Sequence, residues 1–144
     1  MVLAPHTRVL LSDDHPIVRR GVRNILESTP EYEICGEAGD GDQTVKLALR
    51  LHPDVVITDI SMQPMNGLEV TQKLHSALPD AKVLSLTMHD SVEMLRAAAA
   101  AGASGYLLKS DAEELLVSAL HSLGEGNRFV SPSFDAKLVK QLFS

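Results

Sequence analysis

Two adjacent acids, Asp13 and Asp14, follow directly on an apolar run in the stretch "LLSDDHP" (residues 10–16), and a third, Asp59, follows on the run "DVVIT". A hydroxyl, Thr87, closes "KVLSLT", and a lysine, Lys109, closes "GYLLK". If these runs are strands of one parallel sheet, all five side chains converge on the rim made by the strands' carboxyl ends, where open α/β sheets bind their ligands. Three carboxylates a few ångströms apart repel one another unless a cation joins them. All-oxygen ligation with few protein ligands and room for water suits Mg2+ better than a softer metal. A carboxylate beside Mg2+ is a competent nucleophile toward a phosphoryl group; Lys109 then supplies a point charge to a phosphate oxygen and Thr87 a hydroxyl donor.

Each residue also has a plainer explanation. Asp14 suits a helix N-cap, with His15 and Pro16 opening the helix, whereas Asp13 has no comparable reason to be there. Asp59 can begin the loop "DISMQPMNG", which Pro64, Asn66 and Gly67 punctuate as a turn. Taken singly, Lys109 reads as a snorkelling surface lysine and Thr87 as a strand-end residue. Their joint placement carries the chemical reading.

The elements that must position these residues are legible as short Val/Ile/Leu-rich runs alternating with amphipathic stretches. "RVLL", "YEICGEA", "DVVIT", "KVLSL" and "GYLLK" lack polar alternation, which suits strands covered on both faces. Between them, Val18, Val22, Ile25 and Leu26 share a helix face, as do Thr44, Leu47, Ala48 and Leu51, then Leu68, Thr71, Leu74 and Leu78, and finally Leu115, Ala119, Leu120 and Leu123. The fourth helix, in "DSVEMLRAAAAAGAS", is alanine-rich from Ala97 to Ala101 and ends at Gly102, a left-handed cap. Strand alternating with helix five times predicts a doubly wound α/β domain with a five-stranded parallel sheet. After it, "GEGNRFVSP" breaks the pattern, and "SFDAKLVKQLF" reads as a short helix leading toward something further. The expected division is a domain over 7–125 and a linker with a short helix over 126–144.

At 144 residues the chain is long enough to bury one sizeable core. Its one cysteine, Cys35, cannot form an internal disulfide, and "MVLAPHTRV" lacks the basic stretch and long apolar segment of a secretory signal. With no run long enough to span a bilayer, the expected location is the cytoplasm. A formal net charge of −6 argues against binding nucleic acid through these residues alone, and Arg19, Arg20 and Arg23 read as a solvated helix face. The six histidines are scattered; His15 and His89 lie near the mouth without metal-ligand spacing to another histidine or to Cys35, so zinc is not expected. No glycine-rich phosphate loop follows the first strand.

In order and spacing, "DDHPIVRRG", "DVVITDISM", "NGLEV", "LSLTMHD" and "GASGYLLK" resemble the response-regulator receiver domain of two-component signalling. "DDHP", "GYLLK" and "GEGNRFVSP" are similar to the branch with a C-terminal LuxR-type helix-turn-helix. The resemblance implies a flavodoxin-like (βα)5 fold with strand order 2-1-3-4-5. It also implies that Asp59 accepts phosphoryl from a sensor histidine kinase. Mg2+ would be held by Asp13, Asp59 and the backbone carbonyl of Ser61, and by Asp14 through water. Thr87 and Lys109 would sense the phosphate, and Tyr106 would occupy the switch-aromatic position, against the alternative of a strand aromatic with its hydroxyl at the surface. The family resemblance further implies a homodimer on phosphorylation, read out through the fourth and fifth helices and fifth strand or the first and fifth helices, with DNA bound only through a C-terminal domain. Three positions depart from the family pattern. Gln63 stands where proline is usual, with Pro64 one place later; Ser110 replaces a common proline; Met88 is larger than the usual small residue and is expected to narrow access. Two other functions fit less well: a phosphohydrolase, which needs an acid where Ser61 stands, and a degenerate receiver serving as a scaffold, against which the full set of five residues speaks.

Overall fold

Parallel strands alternate with helices along the whole chain of this computed structural model, which describes residues 6–143. The order is β1 (Thr7–Ser12), α1 (Pro16–Glu27), β2 (Tyr32–Ala38), α2 (Gly41–Leu51), β3 (Val55–Thr58), α3 (Gly67–Ala77), β4 (Lys82–Thr87), α4 (Val92–Ala101), β5 (Gly105–Leu108), a single 3-10 turn over Lys109–Asp111, α5 (Ala112–Gly124), β6 (Phe129–Val130) and α6 (Ala136–Phe143). Residues 1–5, on which part of the signal-peptide reading falls, and Ser144 lie outside the described residues. Among those described, no helix is long and apolar enough to cross a membrane.

The sheet has six strands in the order β2-β1-β3-β4-β5-β6, every neighbour parallel. The expected order 2-1-3-4-5 is therefore present with one strand more than expected. Phe129 and Val130 sit beside Gly105 and Tyr106 and extend the β5 edge. Two residues are too short to show any periodicity, which is why the sequence reading passed over them.

Three apolar clusters hold the layers together. On one face of the sheet, Val22 and Leu26 of α1 and Leu116, Ala119, Leu120 and Leu123 of α5 close over Val9, Leu11, Ile57, Leu84 and Leu107. On the other, Ala48 of α2 and Val70 and Leu74 of α3 cover Leu10, Val56 and Val83. The third joins Leu95 and Ala98 of α4 and Tyr106 and Leu108 of β5 to Phe134 and Phe143, with Leu138, Val139 and Leu142 of α6 packed against it. The small side chains of α4 are thus covered in part by the chain's own α6. Gly102 caps α4 with φ 102°, in the left-handed region, as its sequence position predicts.

Candidate functional site

Strand register brings the acids to one level. Ser12 pairs with Thr58, and the Asp59 amide donates to the Ser12 carbonyl at 3.0 Å, so Asp13 and Asp59 leave neighbouring strands side by side. Thr87 pairs with Leu108 in the adjoining ladder, which carries Lys109 to the same rim. Both acids are buried, at 2% and 3% exposure, while Asp14 is exposed. Lys109 Nζ lies 3.1 Å from Asp13 Oδ2 and 3.4 Å from Asp59 Oδ2. One partly exposed ammonium thus neutralises part of two buried carboxylates.

The start of α1 differs from expectation. His15, not Asp14, occupies the N-cap position and makes no side-chain cap. Asp13 does the local work instead, its Oδ1 accepting the His15 amide at 2.8 Å. The His15 ring closes on both acids, with Nδ1 3.1 Å from Asp13 Oδ1 and 2.8 Å from Asp14 Oδ1. His15 therefore joins the cluster itself rather than only lying near the mouth, a role that spacing to other histidines or to Cys35 cannot reveal because its partners are acids.

Burial pushes the Asp59 carboxyl above its ordinary value; the Asp13 charge adds to this, and Lys109 and the Ile60 amide, which donates to Asp59 Oδ1 at 2.8 Å, oppose it incompletely. The loop after Asp59 folds tightly back. Gly67 N–H donates to the Ile60 carbonyl at 2.8 Å, and Asn66 and Glu69 form a reciprocal capping box that starts α3. A Cβ on Gly67 would lie 1.9 Å from the Asp59 carbonyl oxygen, so this close approach of the helix to the Asp59 loop requires glycine. The Gln63–Pro64 peptide is cis. Ser110 lies exposed in the 3-10 turn after Lys109. Met88 stands out into solvent at 79% exposure instead of packing over the mouth.

The side opposite the acids is tied through the loop after β4. Thr87 Oγ1, fully buried, accepts the His89 amide at 3.1 Å, and His89 Nε2 lies 2.6 Å from Ser61 Oγ, bridging the loops after β3 and β4. Tyr106 is completely buried, unlike the surface alternative, and its hydroxyl donates to the His89 carbonyl at 2.6 Å. Burial pushes its phenol up to about 12, with the Asp90 charge adding to the effect and the Thr87 hydroxyl opposing it. The ring meets Phe134 edge to face at 5.5 Å between centroids. On the other side of β5, Ser131 Oγ accepts the Leu108 amide at 2.8 Å.

The donor set fits a hard divalent cation. Asp13, Asp14, His15 and Asp59 each offer one ligand atom, all within 4.8 Å of one another. Asp13 Oδ2 is buried without a hydrogen-bond partner among the described residues; the Lys109 ammonium lies within ion-pair range but not in hydrogen-bonding geometry. A buried acceptor left open beside two further carboxylates is what a metal ligand looks like before it binds.

Sheet order and acidic mouth together define an α/β domain of the flavodoxin-like type. The chain belongs to the response regulator receiver domain family, whose model matches residues 9–121. It is 36% identical over 134 residues to the transcriptional regulatory protein DegU of Brevibacillus brevis, covering 93% of this chain and 57% of that protein. It is 35% identical over 134 residues to the nitrate/nitrite response regulator protein NarL of Escherichia coli (strain K12), covering 93% and 62%. The chain spans about three fifths of the length of these curated relatives. A LuxR-family two-component response regulator from Aurantimonas sp. SI85-9A1 superposes with a TM-score of 0.87 at 33% identity, over 96% of this chain and 99% of that one. The isolated REC domain of RcsB from Salmonella enterica serovar Typhimurium, in the presence of phosphomimetic BeF3-, superposes with a TM-score of 0.82 at 28% identity, over 96% and 99%.

Proposed function

We propose that this chain is a phosphoacceptor switch: Asp59 takes a phosphoryl group from a sensor histidine kinase in a step that needs Mg2+. The observation that carries this reading is the buried Asp59 carboxylate 3.4 Å from Lys109 Nζ, with the open Oδ2 of Asp13 against the same ammonium. Asp13, Asp59 and the Ser61 backbone carbonyl would hold the metal directly and Asp14 through water. When bound, Mg2+ supplies charge neutralisation to the transferring phosphoryl oxygens. Asp59 forms the new bond to phosphorus as the bond to the donor's imidazole nitrogen breaks. Lys109 turns from the carboxylates to a phosphoryl oxygen, and Thr87 directs its hydroxyl there.

Phosphorylation replaces one negative charge with about two and adds strong acceptors. Thr87 gains a partner, and the loop carrying His89 moves with it. Tyr106, held by the His89 carbonyl, passes that movement to β5 and the face beyond. The protein acts in the cytoplasm, dimerises on phosphorylation and controls transcription through a DNA-binding domain of the full-length regulator, toward which residues 126–144 lead from the receiver at 7–125. Support for that output comes from the relatives, named as transcriptional and nitrate/nitrite regulators, and from a solved structure of RcsB dimers bound to DNA.

Intact-mass measurement after incubation with acetyl phosphate and Mg2+ tests the reading. The native chain gains one phosphoryl and Asp59→Asn gains none; a native chain that stays unmodified, or an Asn variant that is modified equally, refutes it.

A further inference from the structure

The basic residues of α1 do not form a uniformly solvated face. Arg20 is exposed, but Arg19 Nη1 donates to the backbone carbonyl of Asp13 at 2.5 Å, and its Nε lies 3.3 Å from Glu37 Oε1. The other oxygen of Glu37 receives Arg23 Nη1 at 2.7 Å. One carboxylate on β2 therefore anchors two arginines of α1, and one of them reaches across to the main chain at the acidic mouth. The Asp13 carbonyl lies one residue past the last β1 pairing, so it has no partner in the ladder. That carbonyl also belongs to the planar peptide joining Asp13 to Asp14, and a donor fixed on it sets the relative placement of both acids. An arginine suits this task, because one N–H of its planar guanidinium binds the carbonyl while the same delocalised charge pairs with the anchoring carboxylate, which the single ammonium of lysine does less well.

We infer that Arg19 is a positioning residue for the Mg2+ site: held by Glu37, it orients the Asp13–Asp14 peptide so that the two acids face the metal. The inference rests on the phosphoacceptor reading for the identity of the metal, and on the geometry above for the role of Arg19. It has a sign that simple electrostatics does not share. Removing a cation beside an acidic cleft by itself tightens divalent binding. Removing the group that orients the ligands loosens it.

Mg2+ titration of the full chain by calorimetry, with Mn2+ titration by electron paramagnetic resonance in parallel, reads the effect without any phosphoryl transfer. Arg19→Gln weakens Mg2+ binding about tenfold, the low end for partners that orient metal ligands. The Mg2+ concentration giving half-maximal phosphorylation by acetyl phosphate rises by the same factor, while the rate at saturating Mg2+ stays within about twofold of native. Arg19→Lys falls between the two proteins, and Glu37→Gln, which frees Arg19 without removing it, shifts affinity in the same direction by less. Unchanged or tighter Mg2+ binding by Arg19→Gln overturns the assignment, as does a lowered melting temperature in chelator with an unmoved binding constant. If Arg19→Gln does not fold, Glu37→Gln decides: weaker binding supports the role and unchanged binding overturns it. A native chain that binds Mg2+ but takes up no phosphoryl refutes the phosphoacceptor reading alone; a native chain that binds no Mg2+ refutes both.

Discussion

Gly67 sets how closely α3 approaches the Asp59 loop, and adding one methyl group there is the sharpest available perturbation of the site. The new Cβ falls 1.9 Å from the Asp59 carbonyl oxygen, 2.7 Å from its carbonyl carbon and 2.8 Å from Ile60 Cα. Real Cβ contacts do not come under 3.0 Å, so the gap must open from 1.9 to 3.0 Å, a shift of at least 1.1 Å. All three neighbours are backbone, with no flexible side-chain end to yield. The helix start is also pinned, by the Gly67 amide on the Ile60 carbonyl and by the Asn66–Glu69 capping box, so the displacement falls on the Asp59 loop. Overpacking of this kind costs about 1–3 kcal/mol of stability. A misplacement of about 1 Å at a reacting group costs about 100-fold in rate. Gly67→Ala is therefore expected to melt lower and to phosphorylate about 100-fold more slowly with acetyl phosphate and saturating Mg2+, followed by intact mass. Gly124→Ala, whose Cβ meets nothing within 4 Å, is the control and keeps native rate and folding. A Gly67→Ala protein with native melting and a rate within about threefold of native refutes the argument that this contact places Asp59.

Two further outcomes follow from the titrating groups. The folded Asp59 carboxyl is raised above its ordinary 3.8, so its contribution is fully present below that value and is lost as pH rises through the folded value. In chelator, Asp59→Asn consequently melts higher than native protein at neutral pH, with the gap closing in acid; an Asn variant that melts lower at neutral pH contradicts the burial argument. Tyr106, raised from 10.0 to about 12, contributes stability that is complete below pH 10 and disappears as pH rises toward 12, about 3 kcal/mol by linkage. Tyrosinate absorbance and circular dichroism then change together over that interval, and the native-minus-Tyr106→Phe difference isolates the residue. A separate tyrosinate transition for Tyr106 near its ordinary value, with the fold intact, runs against this.

Much of the site could be read from strand exits alone. Asp13, Asp59, Thr87 and Lys109 each end an apolar run, and parallel pairing leaves such residues little choice but to share a rim. The helical faces were equally legible, because Val22 and Leu26 or Leu120 and Leu123 recur at helical spacing. Sequence reasoning fell short where a role depends on three-dimensional closure. Asp13, not Asp14, receives the backbone amide at the start of α1, since the choice turns on which carboxylate bends back toward His15. Arg19 resembled Arg20 in chemistry, and only the packing of α1 beside β2, which brings Arg19 to Glu37 and leaves Arg20 exposed, separates the two. Phe134 was legible only as part of a short helical segment leading onward, because its burial depends on closure against Tyr106 and the α4 cluster.

The seat of α6 on α4 has a consequence for recognition. Any ligand that would grip the small side chains of α4 meets an internal competitor already in place, tethered at effectively high local concentration and fastened through Phe134 and Ser131 to β5. The apparent affinity of such a ligand equals its intrinsic affinity multiplied by the fraction of molecules in which α6 has let go. Weakening that tether would raise the affinity without altering a single atom of the contact itself.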